Sequence, residues 1–208
     1  MLKRGMIYLT GFVLIAIAVS LHYKHNLGSA PFDAFTMNLA SLSNIKVGYI
    51  SIICNLSFVV LYFIRNKNKD IFISLAVVFS LGLLVNFFTY NVFNFYYDNI
   101  VIRFLLFVLA TNICALGVAF ILYTKLSMMP FECFVNFINS LKPFKKYQMS
   151  RVRVVIESSF GIVAMFIGLL FLKGFAAVGI ATIFLMFGQA PLITLYLKLS
   201  NKFFKEIA

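Results

Sequence analysis

Two short segments of the chain place a carboxylate directly after a Pro-Phe pair. One runs from Pro31 to Asp33 and the other from Pro130 to Glu132, and both stand between apolar runs. Because a charge is costly to bury among apolar groups, such carboxylates often mark sites that bind a cation or amine, or that exchange protons. A second interpretation stays open, in which each carboxylate only stabilises the positive end of its own helix dipole, by about 0.3–1 kcal/mol. The two carboxylates and the prolines beside them are candidate substrate- or proton-binding residues.

A third carboxylate, Glu157, lies near the start of an apolar run, four residues after Arg153. Residues at positions i and i+4 of a helix face each other, so the sequence predicts an ion pair between these two side chains. Glu157 could instead couple transport to a proton gradient as a lone protonatable group, or the pair could only anchor its helix at the membrane interface. Arg151 and Arg153 could also hold an anionic substrate, although cytoplasmic anchoring accounts for both.

Four amides stand in the middle of apolar runs, where a polar side chain needs a hydrogen-bond partner. They could line a polar path, or they could simply bond between helices at about 0.6 kcal/mol each. Asn55 and Gln189 are the candidate binding residues among them. The full set is Asn55, Asn86, Asn112 and Gln189.

Gln189 belongs to the sequence Gly188-Gln189-Ala190-Pro191, which we predict to break its helix. A broken helix exposes backbone polar groups that must face protein or water rather than lipid. The break would therefore line a cavity, and a packing kink is the alternative.

Two histidines, His22 and His25, follow the first apolar run. Their position at the end of a span suggests a pH-sensitive role as one interpretation. Histidines at a membrane interface are commonly exposed, however, and exposed side chains without a role are the simpler expectation.

No metal or cofactor site is predicted. The three cysteines, Cys54, Cys114 and Cys133, stand singly in apolar surroundings without metal-ligand spacing, which favours small core residues. The common metalloprotease, zinc-ligand, phosphate-loop and nucleophile-elbow motifs do not occur in the sequence. We therefore expect no cofactor, no metal and no enzymatic activity.

The composition is that of a membrane protein. Of the 208 residues, 62% are hydrophobic and 12% are charged, whereas a soluble domain carries about 25% charged residues. The mean hydropathy is +1.00, and several uncharged runs reach the roughly 17–25 residues that cross a bilayer. We predict a single all-α transmembrane domain over residues 1–208 with six transmembrane helices. They cover residues 5–23, 47–64, 71–94, 102–124, 152–172 and 175–198.

The lysines and arginines predict an orientation and argue against nucleic acid as a partner. The net charge is +12, but the basic residues cluster in short segments between the spans, where they set membrane topology. With the N-terminus inside, fourteen of the 18 basic residues are cytoplasmic. We therefore expect a multi-pass protein of the bacterial cell membrane with both termini in the cytoplasm. The four outer residues are Lys24, Lys46, Arg103 and Lys173, and the inner group is Lys3, Arg4, Arg65, Lys67, Lys69, Lys125, Lys142, Lys145, Lys146, Arg151, Arg153, Lys198, Lys202 and Lys205.

The two halves of the chain resemble each other. A shift of 99 positions superimposes the Pro-Phe-acid segments, so that Asp33 meets Glu132 and Arg4 meets Arg103. Each half contains one span, the Pro-Phe-acid segment and two more spans. Because three is an odd number, the second half enters the membrane from the opposite side, as in the inverted-topology repeats of many secondary transporters. We predict two such three-helix repeats, at about 1–98 and about 99–208, with chance similarity between apolar helices as the alternative.

The Pro-Phe-acid segments are too short to span a membrane, since the first covers about twelve residues from Pro31 to Leu42. Proline suits the first turn of a helix, because its missing N–H has no intrahelical partner there. We predict that each segment begins a short half-embedded helix after the first span of its repeat. Gly28 permits a sharp entry into the first of them.

This order of segments resembles a known family. The pattern Leu-Gly-x-x-Pro-aromatic-Asp beginning at Leu27, the short helix, the sequence VGYISII beginning at Val47 and a glycine-containing third span are similar to the YczE/YyaS/YitT type of small bacterial membrane protein. The resemblance extends from Gly5 to about Leu199 and includes the final GIATIFLMFGQAPLITLYL. The chain departs from the family's usual Ser-Pro-Trp-Asp, because it has Ala30 before the proline and contains no tryptophan. The resemblance implies an inner-membrane location and a similar number of spans, and it does not define a substrate.

Together these features favour a small secondary transporter or exporter of a small solute, which the carboxylates could couple to protons. Its partners would be the lipid bilayer, the solute and, with so few spans per chain, a second copy in a homodimer. One alternative is the substrate-binding component of an energy-coupling-factor vitamin transporter, which docks its ATPase module through small residues on an early helix. Gly11, Ala16 and Ala18 supply that face only loosely. The other alternative is a membrane scaffold or chaperone, for which neutralising Asp33 and Glu132 would change stability and not flux.

Overall fold

The regular secondary structure of this protein is helical throughout the residues that its computed structural model describes, which are 2–66, 71–126, 129–174 and 176–205. Eight α-helices occur in these ranges, and one π-helical turn, Phe88–Val92, continues the fourth. The helices are α1 (Leu2–His25), α2 (Pro31–Ser43), α3 (Val47–Asn66), α4 (Ile71–Phe87), α5 (Ile100–Thr124), α6 (Pro130–Ser140), α7 (Met149–Phe171) and α8 (Ile180–Lys205).

Six of these helices, all except α2 and α6, are long and apolar enough to cross a membrane. The prediction of six helices of spanning length is confirmed, and the first five begin and end within a few residues of the predicted positions when the π-helical turn to Val92 is counted with α4. The sixth begins at Ile180 rather than at residue 175 and continues to Lys205 rather than to residue 198. Its later start follows from a turn before Ile180 that packs on the connection between α1 and α2.

The two short helices begin at the prolines, as predicted. Pro31 opens α2 and Pro130 opens α6, so Asp33 and Glu132 lie in the first turns of their helices. There the free backbone N–H groups and the helix dipole favour negative charge. With 13 and 11 residues, the two helices are about 20 and 16 Å long. Neither helix could cross the roughly 30 Å hydrocarbon core of a bilayer.

Aromatic packing brings the starts of α2 and α6 together, with α2 packed on α7 and α6 packed on α3. The rings of Phe32 and Phe131 lie 5.6 Å apart, centroid to centroid. Both rings contact Phe160 of α7 and Phe58 of α3, and Phe58 stacks on Phe134 at 4.3 Å. Aromatic pairs at such distances contribute about 0.5–1.5 kcal/mol each beyond their burial. This aromatic cluster holds the two Pro-Phe-acid motifs next to each other.

The first span, α1, packs against α5 through small residues. A Cβ on Gly11 would lie 2.7 Å from the carbonyl oxygen of Gly117, so only glycine allows the two backbones to approach this closely. Ala16 and Ala18 on α1 are fully buried. Gly11, Ala16 and Ala18 are thus covered by the rest of the chain.

The connection between α1 and α2 is tied to the start of α8. Gly28 has a φ of 105°, a left-handed conformation that favours glycine. A Cβ there would also lie 2.6 Å from the backbone nitrogen of Gly179. Beside this contact, Ala181 N donates a hydrogen bond to Leu27 O at 3.1 Å. Gly28 therefore permits the sharp turn into α2 that the sequence predicts.

The predicted break in the sixth span is wrong. α8 runs without interruption from Ile180 to Lys205 and contains Pro191. Proline removes the hydrogen bond that its N–H would give to the carbonyl of Phe187, and its ring crowds that carbonyl. Membrane helices tolerate one such loss, because neighbouring groups and small local adjustments can satisfy the freed carbonyl.

Candidate functional site

A cavity of about 160 Å³ lies inside the molecule, around the starts of α2 and α6. All eight helices contribute to its lining, so it depends on the whole fold rather than on one pair of helices. The structure brings together in this central cavity the eight main candidate substrate- or proton-binding residues, whereas Arg151 does not line it. The eight are Pro31, Asp33, Asn55, Pro130, Glu132, Arg153, Glu157 and Gln189.

Arg153 bridges two carboxylates at the wall of the central cavity. Its Nε donates to Glu157 Oε1 at 2.9 Å, which confirms the predicted i,i+4 pair. Its Nη1 lies 2.5 Å from Glu132 Oε1. The sequence does not reveal this second contact, because Glu132 lies on α6 and 21 positions earlier in the chain. The side chains of Arg153, Glu132 and Glu157 keep 43%, 27% and 19% of their surface exposed, so the ionic group faces the cavity.

Asp33 faces the same cavity without such a partner. Within the described residues, its carboxylate makes neither a hydrogen bond nor an ion pair. Burial raises the pKa of Asp33 from its ordinary 3.8 to about 6, and the nearby charge of Glu157 adds to the rise. The two carboxylates that the repeat pairs are therefore in different environments. Glu132 is held by a guanidinium, whereas Asp33 can gain or lose a proton near neutral pH.

Two amides complete the polar lining. Asn55 is 7% exposed, and its Nδ2 donates to the backbone oxygen of Ser51 at 2.9 Å and to Ser51 Oγ at 3.1 Å. Gln189 Nε2 donates to Cys114 Sγ at 3.1 Å. These bonds set the orientation of both amides. In the described part of the chain, no donor reaches Asn55 Oδ1 or Gln189 Oε1.

Sequence reasoning missed two polar residues of the cavity, Ser51 and Cys114. Ser51 lies four positions before Asn55 on the same helix, so helical spacing from a candidate residue could have found it. Cys114 is 8% exposed and lies in an apolar run that gives no signal of a cavity. Its contact with Gln189 comes only from the packing of α5 on α8.

The other two mid-span amides do not line the central cavity. Asn86 Oδ1 accepts a hydrogen bond from the backbone nitrogen of Gly48 at 2.8 Å. Asn112 Oδ1 accepts one from the hydroxyl of Tyr196 at 2.7 Å. Each bond joins two helices, so for these two residues the structural interpretation is the right one.

The two histidines are buried, contrary to the expectation of exposed side chains. His22 is 4% exposed and His25 is 0% exposed, and His22 Nδ1 lies 2.8 Å from His25 Nε2. The ring of Phe107 contacts both imidazoles. Arg103 donates to the backbone oxygen of His25 at 2.8 Å and to that of Asn26. The packing of α5 over the end of α1 buries the pair, and position along the sequence does not reveal this contact.

The fold and the cavity define the class of protein, which is an all-helical, multi-pass membrane protein with ionisable groups around an interior cavity. The chain belongs to the family of unknown function DUF6198, whose profile matches residues 2–198. It is also similar to the uncharacterized protein YyaS of Bacillus subtilis (strain 168), with 24% identity over 128 residues. That match covers 61% of this chain and 64% of the Bacillus protein, which is less than two thirds of its length. No solved structure matches the chain significantly. The resemblance to YyaS-type proteins is thus confirmed.

Proposed function

We propose that the protein is a small secondary transporter or exporter of a small solute. The observation that carries the proposal is the carboxylate of Asp33, which has no partner among the described residues and faces a cavity lined by all eight helices. Ionisable residues at membrane depth are rare and by default mark pathways for substrates, ions or protons. The start of α2 favours a negative charge by only about 0.3–1 kcal/mol, so a neutral side chain would fit this buried position at lower cost if stability alone were required.

An inverted-topology repeat would give the central cavity access from both sides of the membrane. The element order of a long helix, a short helix and two long helices occurs twice along the chain. In the repeat, α1 to α4 correspond in order to α5 to α8. Two pairs of contacts agree with this correspondence: α2 packs on α7 as α6 packs on α3, and α1 packs on α4 as α5 packs on α8. Transporters built in this way hold their solute where the repeats meet. In this arrangement α2 and α6 are half-embedded helices that enter from opposite faces.

Asp33 is the proposed proton-coupling group. A carboxyl group whose pKa is about 6 changes its charge within the physiological range. Arg153 balances part of the charge of Glu132 and Glu157, which leaves Asp33 as the carboxylate free to exchange a proton for a solute. Exchange at one carboxylate, followed by a change in the side to which the cavity opens, is sufficient for coupled transport.

The proposed location is the bacterial cell membrane with both termini in the cytoplasm. The support is the distribution of basic residues, which are concentrated near the termini and in the segment between α6 and α7, where Lys142, Lys145 and Lys146 are exposed. Lys67 and Lys69, which belong to the same predicted inner group, lie outside the described residues. A homodimer is proposed for the assembly, because six spans are few for one transport unit and large apolar side chains are exposed on α7 and α8.

The energy-coupling-factor alternative has less support from the packing of α1. A substrate-binding component of that kind needs exposed small residues on an early helix in order to dock its ATPase module. Gly11 lies against Gly117, and Ala16 and Ala18 are fully buried. These three small residues therefore pack within the chain and are not exposed for docking.

Flux into proteoliposomes tests the proposal. The purified protein would be reconstituted into vesicles containing a pH-sensitive dye, and amines, amino acids, sugars, vitamins and small anions would be added under an imposed pH gradient. We expect at least one solute to enter and to dissipate the gradient. Asp33→Asn should abolish the proton movement, whereas Asp98→Asn, which makes the same change at an exposed residue outside the helices, should leave it intact.

Two outcomes would replace the transporter proposal. If no solute moves, and if the double variant Asp33→Asn/Glu132→Gln changes only thermal stability, the scaffold or chaperone alternative gains. Co-purification of an ATPase module with the wild-type protein would favour the energy-coupling-factor alternative.

A further inference from the structure

The substrate class can be inferred from the polar groups of the cavity that have no hydrogen-bond or ion-pair partner among the described residues. Resting on the proposed function, we propose that the central cavity binds a small protonated amine with a short apolar or aromatic body, whose ammonium group pairs with Asp33. The hydrogen-bonding groups, the charge and the size of the cavity all suit such an amine.

The polar atoms that Asp33, Asn55 and Gln189 leave free in the central cavity are hydrogen-bond acceptors. The amide donors of Asn55 and Gln189 are used on Ser51 and Cys114, while their oxygens meet no donor among the described residues. Asn55 is 7% exposed, and its Oδ1 is left to accept a hydrogen bond from a ligand or a water in the cavity. The carboxylate of Asp33 adds two more acceptor oxygens. An ammonium group carries three donors and no acceptor, and it therefore fits this set.

The charge of the cavity has the sign that an amine requires. Arg153 is its only cation among the described residues, and it faces Asp33, Glu132 and Glu157. With all four groups ionised, the net charge of the lining is −2. The chain as a whole carries +12, so the negative interior is not a consequence of overall composition. An anionic solute would meet uncompensated carboxylates in a space of low dielectric constant.

The size and walls of the cavity limit the body of the amine. Its volume of about 160 Å³ is close to the ~150 Å³ of an engineered apolar cavity that binds benzene. Most of the lining is apolar, with Phe32 and Phe131 beside the carboxylates and Leu185 across from them on α8. Benzylamine combines a ring of this size with one ammonium group. It is the probe for the test, with benzyl alcohol as its neutral near-isostere and benzoate as its anionic one.

Binding should also depend on pH, because the amine needs the ionised form of Asp33. The titratable groups that face the cavity from the described parts of all eight helices are Asp33, Cys114, Glu132, Arg153 and Glu157. Asp33 is the one without an ion-pair or hydrogen-bond partner. Its pKa of about 6 predicts that affinity for benzylamine falls about tenfold between pH 7 and pH 5.

Calorimetry and thermal shift with the purified full-length protein test the inference. We expect benzylamine to bind and to raise the melting temperature, and benzyl alcohol and benzoate to bind at least about tenfold more weakly. Asp33→Asn should weaken benzylamine binding by about tenfold or more, and Asp98→Asn should leave it unchanged. Equal binding of the three probes, or equal binding of benzylamine by Asp33→Asn and the wild type, would overturn the proposal.

The wild-type protein alone provides a second measurement if the Asp33 variant does not fold. Benzylamine affinity measured from pH 5 to pH 8 should rise with the ionisation of Asp33, and an affinity that is independent of pH would overturn the inference. The proposed function fails in a different way. Benzylamine that binds without any solute flux would defeat the transporter and leave the amine site standing, whereas flux of another solute class without amine binding would defeat only the amine site.

Discussion

Arg153 forms ion pairs with two carboxylates that face the central cavity, at 2.9 Å to Glu157 and 2.5 Å to Glu132. Arg153→Met keeps much of the aliphatic volume and removes the charge between the two acids. We expect the free energy of unfolding to fall by about 1–3 kcal/mol, less than for a fully buried ion pair because the side chains are partly exposed. Thermal unfolding in detergent, followed by circular dichroism, measures the loss.

The control for Arg153 removes all three charges together. Glu132→Gln/Arg153→Met/Glu157→Gln leaves no uncompensated carboxylate, so it should recover most of the lost stability. A triple variant no more stable than Arg153→Met would mean that the guanidinium does not serve to balance these two acids.

Asp33 should make the stability of the protein depend on pH. Its folded-state pKa of about 6 lies above the ordinary value of 3.8, so the folded protein holds this proton more tightly than the unfolded chain does. The resulting stabilisation is fully present below about pH 4 and is lost as the pH rises through about 6. Asp33→Asn cannot titrate, and above pH 6 it should exceed the wild type by up to about 3 kcal/mol.

Melting temperatures of the wild type and Asp33→Asn between pH 4 and pH 8 measure this difference. The two curves should meet at the acidic end and separate toward neutral pH. A separation that stays constant over the whole range would show that Asp33 does not titrate there.

At the scale of elements, the connection between α1 and α2 depends on one glycine. Gly28→Ala would force a side chain into a φ of 105° and place its Cβ 2.6 Å from Gly179 N. We expect a loss of about 1–3 kcal/mol in the free energy of unfolding, because both the backbone strain and the steric overlap oppose the folded state.

Gly174→Ala, in the connection between α7 and α8, is the matched control, since nothing lies within 4 Å of a Cβ at that position. Its stability should stay within about 0.5 kcal/mol of the wild type. Thermal unfolding of the two variants side by side measures the difference in stability. Equal stabilities would contradict the close approach of Gly28 to Gly179.

At the scale of the whole molecule, the inverted repeat requires the connections after α4 and after α6 to lie on opposite sides of the membrane. Reporter fusions after Asp98 and after Lys145 should report outside and inside, because the odd number of spans in each repeat reverses its direction. Reporters found on the same side would rule out the inverted repeat, whatever the protein transports.

Local patterns were enough to predict much of this protein. Hydropathy along the chain predicted six spans, and the prolines predicted where α2 and α6 begin. Helical spacing predicted the bond between Arg153 and Glu157. Of the four amides chosen from apolar runs, Asn55 and Gln189 line the central cavity together with the predicted ionisable residues, whereas Asn86 and Asn112 bond between helices.

The sequence by itself therefore determined the number of helices, the starts of the short ones and most of the polar residues around the cavity, although not Ser51 and Cys114. Each of these follows from the order of residues within about one helix length. Only the tertiary structure decided that Arg153 also holds Glu132, that Asp33 has no partner in the described part of the chain and that His22 and His25 are buried. Those properties arise from contacts between different helices, and they depend on how the helices pack rather than on any pattern read along one of them.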